Sequence, residues 1–261
     1  MLLAVDIGNS HIVFGVYSDG KWQNDWRIQT DPLKTADEYE VIFRSLFNAS
    51  NINRSEVHHI ILSSVVPSLV RSFGEMLQKL FEDAETIVVN PDIYRYLPLK
   101  ILNPYEIGAD LVANAIAAYQ KFGKYTTVVD FGTALTFTTI GENAEIKGVA
   151  IAPGPQTAVS ALAGKTAQLP YVHLEAPPSV LGVNTIQAIQ SGIVYGFSGL
   201  VDAILERTEK ELGEKISVVA TGGLGNIIAP FSKYIQQVDV RLTLDGLVQI
   251  CTHVIENRIK D

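Results

Sequence analysis

The chain has 261 residues, room for one large or two compact domains, with 47% apolar and 18% charged residues, a balance that suits buried sheets under helices and not disorder. Net charge is −8 and the isoelectric point is near 5.1, so no basic face is offered to duplex nucleic acid. A single cysteine, Cys251, excludes an internal disulfide; no basic segment precedes the apolar start and no run of about 18 apolar residues occurs, which predicts a cytoplasmic protein without a membrane span.

Taken in chain order, residues 2–7 and 11–17 read as a hairpin of two strands. Thr35-Ala36-Asp37-Glu38 is a capping box, and Tyr39, Ile42, Phe43, Leu46 and Phe47 follow it at helical spacing. Residues 59–65 form a buried-type strand stopped by Pro67. Leu69, Val70, Phe73, Leu77, Leu80 and Phe81 mark an amphipathic helix, and 86–89 a short strand. A helix over 111–122 closes the first half. The second half restarts with strands at 126–129, 135–140 and 145–152, then the break Pro153-Gly154-Pro155. A helix over 157–163, a proline-rich segment, a long helix over 185–211, a strand over 216–220 and a closing helix over 246–259 complete the chain. Each half is a strand hairpin followed by alternating helices and strands, which predicts α/β layers. The expected domains are residues 1–115 and 116–261, with a cleft between two homologous halves.

The internal repeat is the strongest signal. Val5-Asp6-Ile7-Gly8-Asn9-Ser10 returns as Val129-Asp130-Phe131-Gly132-Thr133-Ala134, and both copies lead into β-type sequence. One Asp-x-Gly turn alone reads as an ordinary hairpin. Two with matching flanks point to a nucleotide cleft, in which glycine lets backbone amides approach phosphate and Asn, Ser or Thr add hydrogen bonds. The carboxylates of Asp6 and Asp130 are then placed to hold cations. No Lys or Arg occurs in residues 4–20, 101–120 or 128–146. A bound polyanion would therefore rely on Mg²⁺ and backbone dipoles, with a monovalent cation beside them.

Gly164-Lys165-Thr166 imitates a P-loop, but the glycine required five positions earlier is Val159. Gly222-Gly223 follows a strand and, beside the repeat, reads as an adenosine contact. Gly108-Ala109-Asp110 opens a helix, where Asp is favoured by the helix dipole in any case. The histidines show no metal-ligand spacing, and Cys251 reads as a buried, inert thiol.

In order along the chain, Asp6-Ile7-Gly8-Asn9-Ser10, Ser64-Val65-Val66-Pro67, Gly108-Ala109-Asp110, Asp130-Phe131-Gly132-Thr133-Ala134, Leu181-Gly182-Val183-Asn184-Thr185 and Ala220-Thr221-Gly222-Gly223 resemble the motifs of type III pantothenate kinases. The resemblance spans nearly the whole chain. It implies two ribonuclease-H-like domains of the acetate and sugar kinase/Hsp70/actin type around an ATP cleft. It also implies ATP-dependent phosphorylation of pantothenate at its primary hydroxyl, the first step of coenzyme A synthesis. Carried over by residue, Asp6, Ile7, Gly8, Asn9, Ser10, His11, Ile12 and Val13 contact ATP and its Mg²⁺, and Thr133 contacts the phosphates. Asp130 holds a monovalent cation, K⁺ or NH₄⁺. Gly108, Ala109, Asp110 and Leu111 bind pantothenate with Asp110 as general base, and Thr185 reaches the substrate of the neighbouring subunit in a homodimer. Leu111 and Ile101 depart from the family's usual arginine and aromatic residue at these substrate-facing positions. A kinase of another small hydroxy-acid, or a non-catalytic regulatory relative, are the alternatives.

Overall fold

A computed structural model describes residues 1–258, and their backbone forms two units. The first joins Met1–Ala117 to the chain from Thr243 onward, and the second runs from Ala118 to Leu242.

In the first unit, β1 (Leu2–Ile7), β2 (His11–Ser18) and β3 (Lys21–Gln29) make an antiparallel meander; β4 (His59–Ser64) and β5 (Glu85–Val88) extend it in parallel, giving the order β3-β2-β1-β4-β5. β3 was not anticipated: its residues Lys21-Trp22-Gln23-Asn24-Asp25 carry no apolar alternation. Helices α1 (Ala36–Ala49) and α2 (Pro67–Leu80) cover one face. Thr35 caps α1 as the sequence predicts: its hydroxyl accepts from the Glu38 amide at 3.3 Å, and its own amide donates to the Glu38 carboxylate at 2.8 Å. Pro67 does more than end a strand, since it occupies the first turn of α2, where a missing N–H costs nothing. Alternate residues Leu3, Val5, Ile7 and Ile12, Phe14, Val16 point into this core, where Phe14 and Phe43 stack 4.0 Å apart. Truncating Phe43 to Ala would cost about 3–5 kcal/mol in a urea unfolding experiment.

The closing helix corrects the expected boundary. From Thr243 on, α7 (Leu242–Arg258) belongs with the first unit, packed there on the first part of α3 (Ala109–Phe122). A Cβ on Gly246 would lie 1.9 Å from the Ala113 carbonyl oxygen, so only glycine allows this approach. Trp22 Nε1 donates to Asp245 at 2.8 Å and Thr243 Oγ1 to Asn114 at 2.8 Å, tying the start of α7 to β3 and to α3. Ile259, the expected last residue of this helix, lies outside the described residues. Cys251 is buried within it, and burial pushes its thiol up to about 12.

The second unit repeats the scheme. β6 (Thr126–Phe131), β7 (Ala134–Ile140) and β8 (Ile146–Pro153) form an antiparallel meander, and β9 (Ser217–Thr221) and β10 (Gln237–Val238) continue in parallel, so the order β8-β7-β6-β9-β10 matches the first sheet strand for strand. α4 (Pro155–Lys165), α5 (Thr185–Leu212) and the short α6 (Gly225–Ile228) complete it. By length and composition α5 would suffice to cross a membrane. Its Val194, Val201 and Leu205 are fully buried, and its Gln190 and Ser191 side chains donate to backbone carbonyls of His173 and Val180. These are the features of a core helix.

Candidate active site

The first Asp-Gly turn joins β1 to β2. The Gly8 amide donates to the His11 carbonyl at 3.0 Å. Thr30, buried at the end of β3, clamps the turn from outside: its hydroxyl donates to the Gly8 carbonyl at 2.7 Å and its amide to the Ser10 carbonyl at 3.0 Å. Asn9, Ser10 and His11 remain exposed. Ile7 and Ile12 do not, for both side chains are fully buried, so they can meet a ligand only through backbone. Across the sheet, register sets Asp6 opposite Val13 on one side and Ser63 on the other. Ser63 is fully buried, and its hydroxyl makes no hydrogen bond.

The second turn joins β6 to β7 and is clamped differently. The Gly132 amide donates to Ala134 at 3.1 Å, while the Thr133 carbonyl accepts from the Gly154 amide at 3.0 Å and the Thr157 hydroxyl at 2.6 Å. Asp130 stands between Thr136 and Thr221 in the register; the Thr136 hydroxyl is buried without a hydrogen bond. Gly222 has φ +88°, and a Cβ there would come 2.6 Å from Asp130 Oδ1. Two separate constraints, left-handed backbone and close approach, thus require glycine. Asp130 and Gly222 are in direct proximity, and Gly223 follows at the same strand end.

Asp110 is the second residue of α3. Its Oδ1 accepts from the Leu111 amide at 2.8 Å. A Cβ on Gly108 would lie 2.4 Å from that same oxygen, so Gly108 makes the space into which the carboxylate curls. Burial raises the Asp110 carboxyl above its ordinary range, against the pull of the Leu111 and Asp110 amides. Tyr94, buried in a 3-10 turn at Pro91–Tyr96, is pushed up to about 12 by burial and by the Asp110 charge. No motif flagged Tyr94, Ser63 or Thr30. Buried neighbours set by register leave no signature in a linear pattern.

Ala109 and Leu111 are both buried, and Ile101 is half-buried. A side chain at 111 is therefore part of the packing, and Leu111→Arg would put a charge into that core instead of simply restoring a contact. Thr185 is exposed at the start of α5. It is the first helical residue and not the cap. Asn184 is, with extended backbone and a side chain accepting from the Gln187 amide at 2.9 Å. Residues Gly182–Thr185 line an open cavity of about 720 Å³ with Leu162, Leu169 and Ile193. Lys165 ends α4, far from any strand-to-helix turn that a P-loop requires.

The family profile described as type III pantothenate kinase matches residues 2–207. A relative of that name from Moorella thermoacetica is 43% identical over 247 residues, covering 95% of this chain and 97% of its own. The chain belongs to the type III pantothenate kinase family. Solved structures share its fold at lower identity. One is a conserved putative Baf family transcriptional activator from Campylobacter jejuni (21% identical, TM-score 0.55, covering 98% of this chain and 99% of its own). Another is the activator of 2-hydroxyisocaproyl-CoA dehydratase from Clostridium difficile with bound ADPNP (12%, TM-score 0.55, 100% and 97%). The fold is that of the acetate and sugar kinase/Hsp70/actin group, with one sheet of it in each unit. Within the family, the profile ends before Gly222 and Gly223, whereas the Moorella relative aligns along nearly the full length.

Proposed function

We propose that this member of the family transfers the γ-phosphoryl group of ATP to the primary hydroxyl of pantothenate, giving 4'-phosphopantothenate at the entry to coenzyme A synthesis, with Asp110 as the general base. The observation that carries the chemistry is the half-buried Asp110 carboxylate, raised in pKa by burial and oriented by the Leu111 amide. A carboxylate with raised pKa is a stronger base toward the hydroxyl proton. It takes the hydroxyl proton as the oxygen bonds to the γ-phosphorus. The bond to the β–γ bridging oxygen breaks and ADP leaves.

The turn Asp6–Val13 supplies backbone and side-chain donors to the phosphates, and Thr133 does so from the second turn. Asp6 with the Ser63 hydroxyl offers hard oxygen donors of the kind Mg²⁺ takes; the ion's part is to offset phosphate charge. Asp130, flanked by Thr136 and Thr221, fits a larger monovalent cation, K⁺ or NH₄⁺. Gly222 and Gly223 lie against adenosine, Gly108–Leu111 and Ile101 against pantothenate. In this reading the active unit is a cytoplasmic homodimer in which Thr185 serves the partner's site.

An assay coupled to ADP release, run with pantothenate against a panel of small alcohols and hydroxy-acids, tests the proposal. Pantothenate-dependent ADP release is expected. Turnover with another acceptor alone would assign a different substrate, and nucleotide binding with no turnover would assign a regulatory role.

A further inference from the structure

The first turn region has no cation in its own sequence, yet the fold delivers one. β3 is the edge strand of the first sheet, and it lies antiparallel to β2 with Arg27 opposite Val13 and Gln29 opposite His11. Since Val13 is in turn opposite Asp6, one straight row crosses the sheet: Arg27, Val13, Asp6, Ser63. Directly paired residues share a face. This face is the one turned away from the core that α1 and α2 cover, because Trp26 and Ile28 pack into that core while Arg27 alternates with them. Two strand spacings of about 4.8 Å separate the backbones of Arg27 and Asp6, roughly 10 Å in all.

Arg27 is exposed and forms no ion pair among the described residues. It shares an open cavity of about 620 Å³ with Asn9, Ser10, His11, Gln29 and Thr30. The His11 imidazole in that cavity is held below its usual pKa, first by burial and then by the Arg27 charge, so the two side chains sense each other. A guanidinium and the exposed amide and hydroxyl side chains of a phosphate-type turn therefore open onto one space. A guanidinium presents several N–H donors in a planar fork that matches phosphate oxygens.

We infer that Arg27 is the protein's own cationic contact to the ATP polyphosphate, brought to the Asp6–Val13 turn by the β2–β3 register. The inference rests on the kinase reading above and adds a residue to it. Arg27 acts on the nucleotide and not on the acceptor, because its row and cavity hold the turn of β1–β2 and none of the residues Gly108–Leu111.

The test is binding of Mg·ATP by calorimetry, with steady-state kinetics alongside, for native protein, Arg27→Gln and Arg27→Lys. Arg27→Gln should weaken nucleotide affinity on the order of 10- to 100-fold, the loss expected for a charged hydrogen bond. Arg27→Lys, which keeps the charge but not the fork, should fall between it and the native protein. The KM for pantothenate and the thermal midpoint should stay near native in both. Nucleotide affinity within twofold of native in Arg27→Gln overturns the inference, as does an equal loss for both substrates. If native protein binds Mg·ATP but does not phosphorylate pantothenate, the acceptor assignment fails while the same binding comparison still decides Arg27. A native chain that binds no nucleotide overturns both.

Discussion

Asp6 and Asp130 occupy the same place in two sheets of identical strand order, yet their neighbours along the row differ. In the first sheet the row reads Arg27, Val13, Asp6, Ser63; in the second it reads Ile151, Thr136, Asp130, Thr221. The first row ends in a cation. The second places hydroxyls on both sides of its carboxylate and ends in an exposed isoleucine. Both sheets carry the carboxylate and the turn, and the flanking strands set what each can hold. Oxygen donors alone suit a cation, whereas an arginine suits an anion. The turns diverge likewise, one pinned by Thr30 and the other by Gly154 and Thr157.

The largest expected effect falls outside both rows. Asp110→Asn should cut turnover on the order of 10²- to 10⁴-fold and leave nucleotide affinity largely intact. Its thermal midpoint should not fall, because the native carboxyl is held above its unfolded pKa and so opposes folding when ionised. By the same sign, the contribution of this group to stability improves as pH drops through the raised folded pKa. Activity should be lost over that range, at a higher pH than the ordinary carboxylate value of about 3.9 would give. Near-native turnover in the variant would remove Asp110 from the base role and leave positioning to carry catalysis.

Leu111→Arg comes next. With the side chain buried, the substitution should destabilise the first unit by roughly 2–4 kcal/mol through an unpaired interior charge. Unchanged stability together with a lower KM for pantothenate would show that the position opens toward substrate. Gly222→Ala sharpens the contrast between the rows. Strain at φ +88° and contact with Asp130 should cost roughly 1–3 kcal/mol and disturb only the second row. A stable variant with a native response to monovalent cations would contradict the close approach. Smallest are the clamps. Thr30→Val should lose about 1 kcal/mol of stability and raise the KM for ATP, and Thr30→Ser should restore both. If Thr30→Val affects stability alone, the first turn does not need its clamp for nucleotide binding.

Much of this was legible in the chain because local rules coincide with the fold. The Thr35–Glu38 capping box, the two Asp-Gly turns and the apolar faces of α1 and α2 each announce themselves within a few residues. What was hidden depends on register or on distant packing. β3 begins without apolar alternation at residues 21–25, and only its second half alternates, Trp26 and Ile28 facing the core while Asp25, Arg27 and Gln29 lie on the other face. The turn's own sequence holds no Lys or Arg, and Arg27 reaches it only from the neighbouring strand. The closing helix was assigned by sequence order to the second half, while Gly246 fits it against Ala113 in the first.

The claim that the second row serves a monovalent cation is met most directly by turnover in K⁺ and in Na⁺ at equal ionic strength, for native protein and Asp130→Ala, with Mg·ATP and pantothenate saturating. The native protein should run faster in K⁺, and Asp130→Ala should lose that preference while still requiring Mg²⁺. Equal native rates in the two salts, or a preference that survives in Asp130→Ala, would contradict the account.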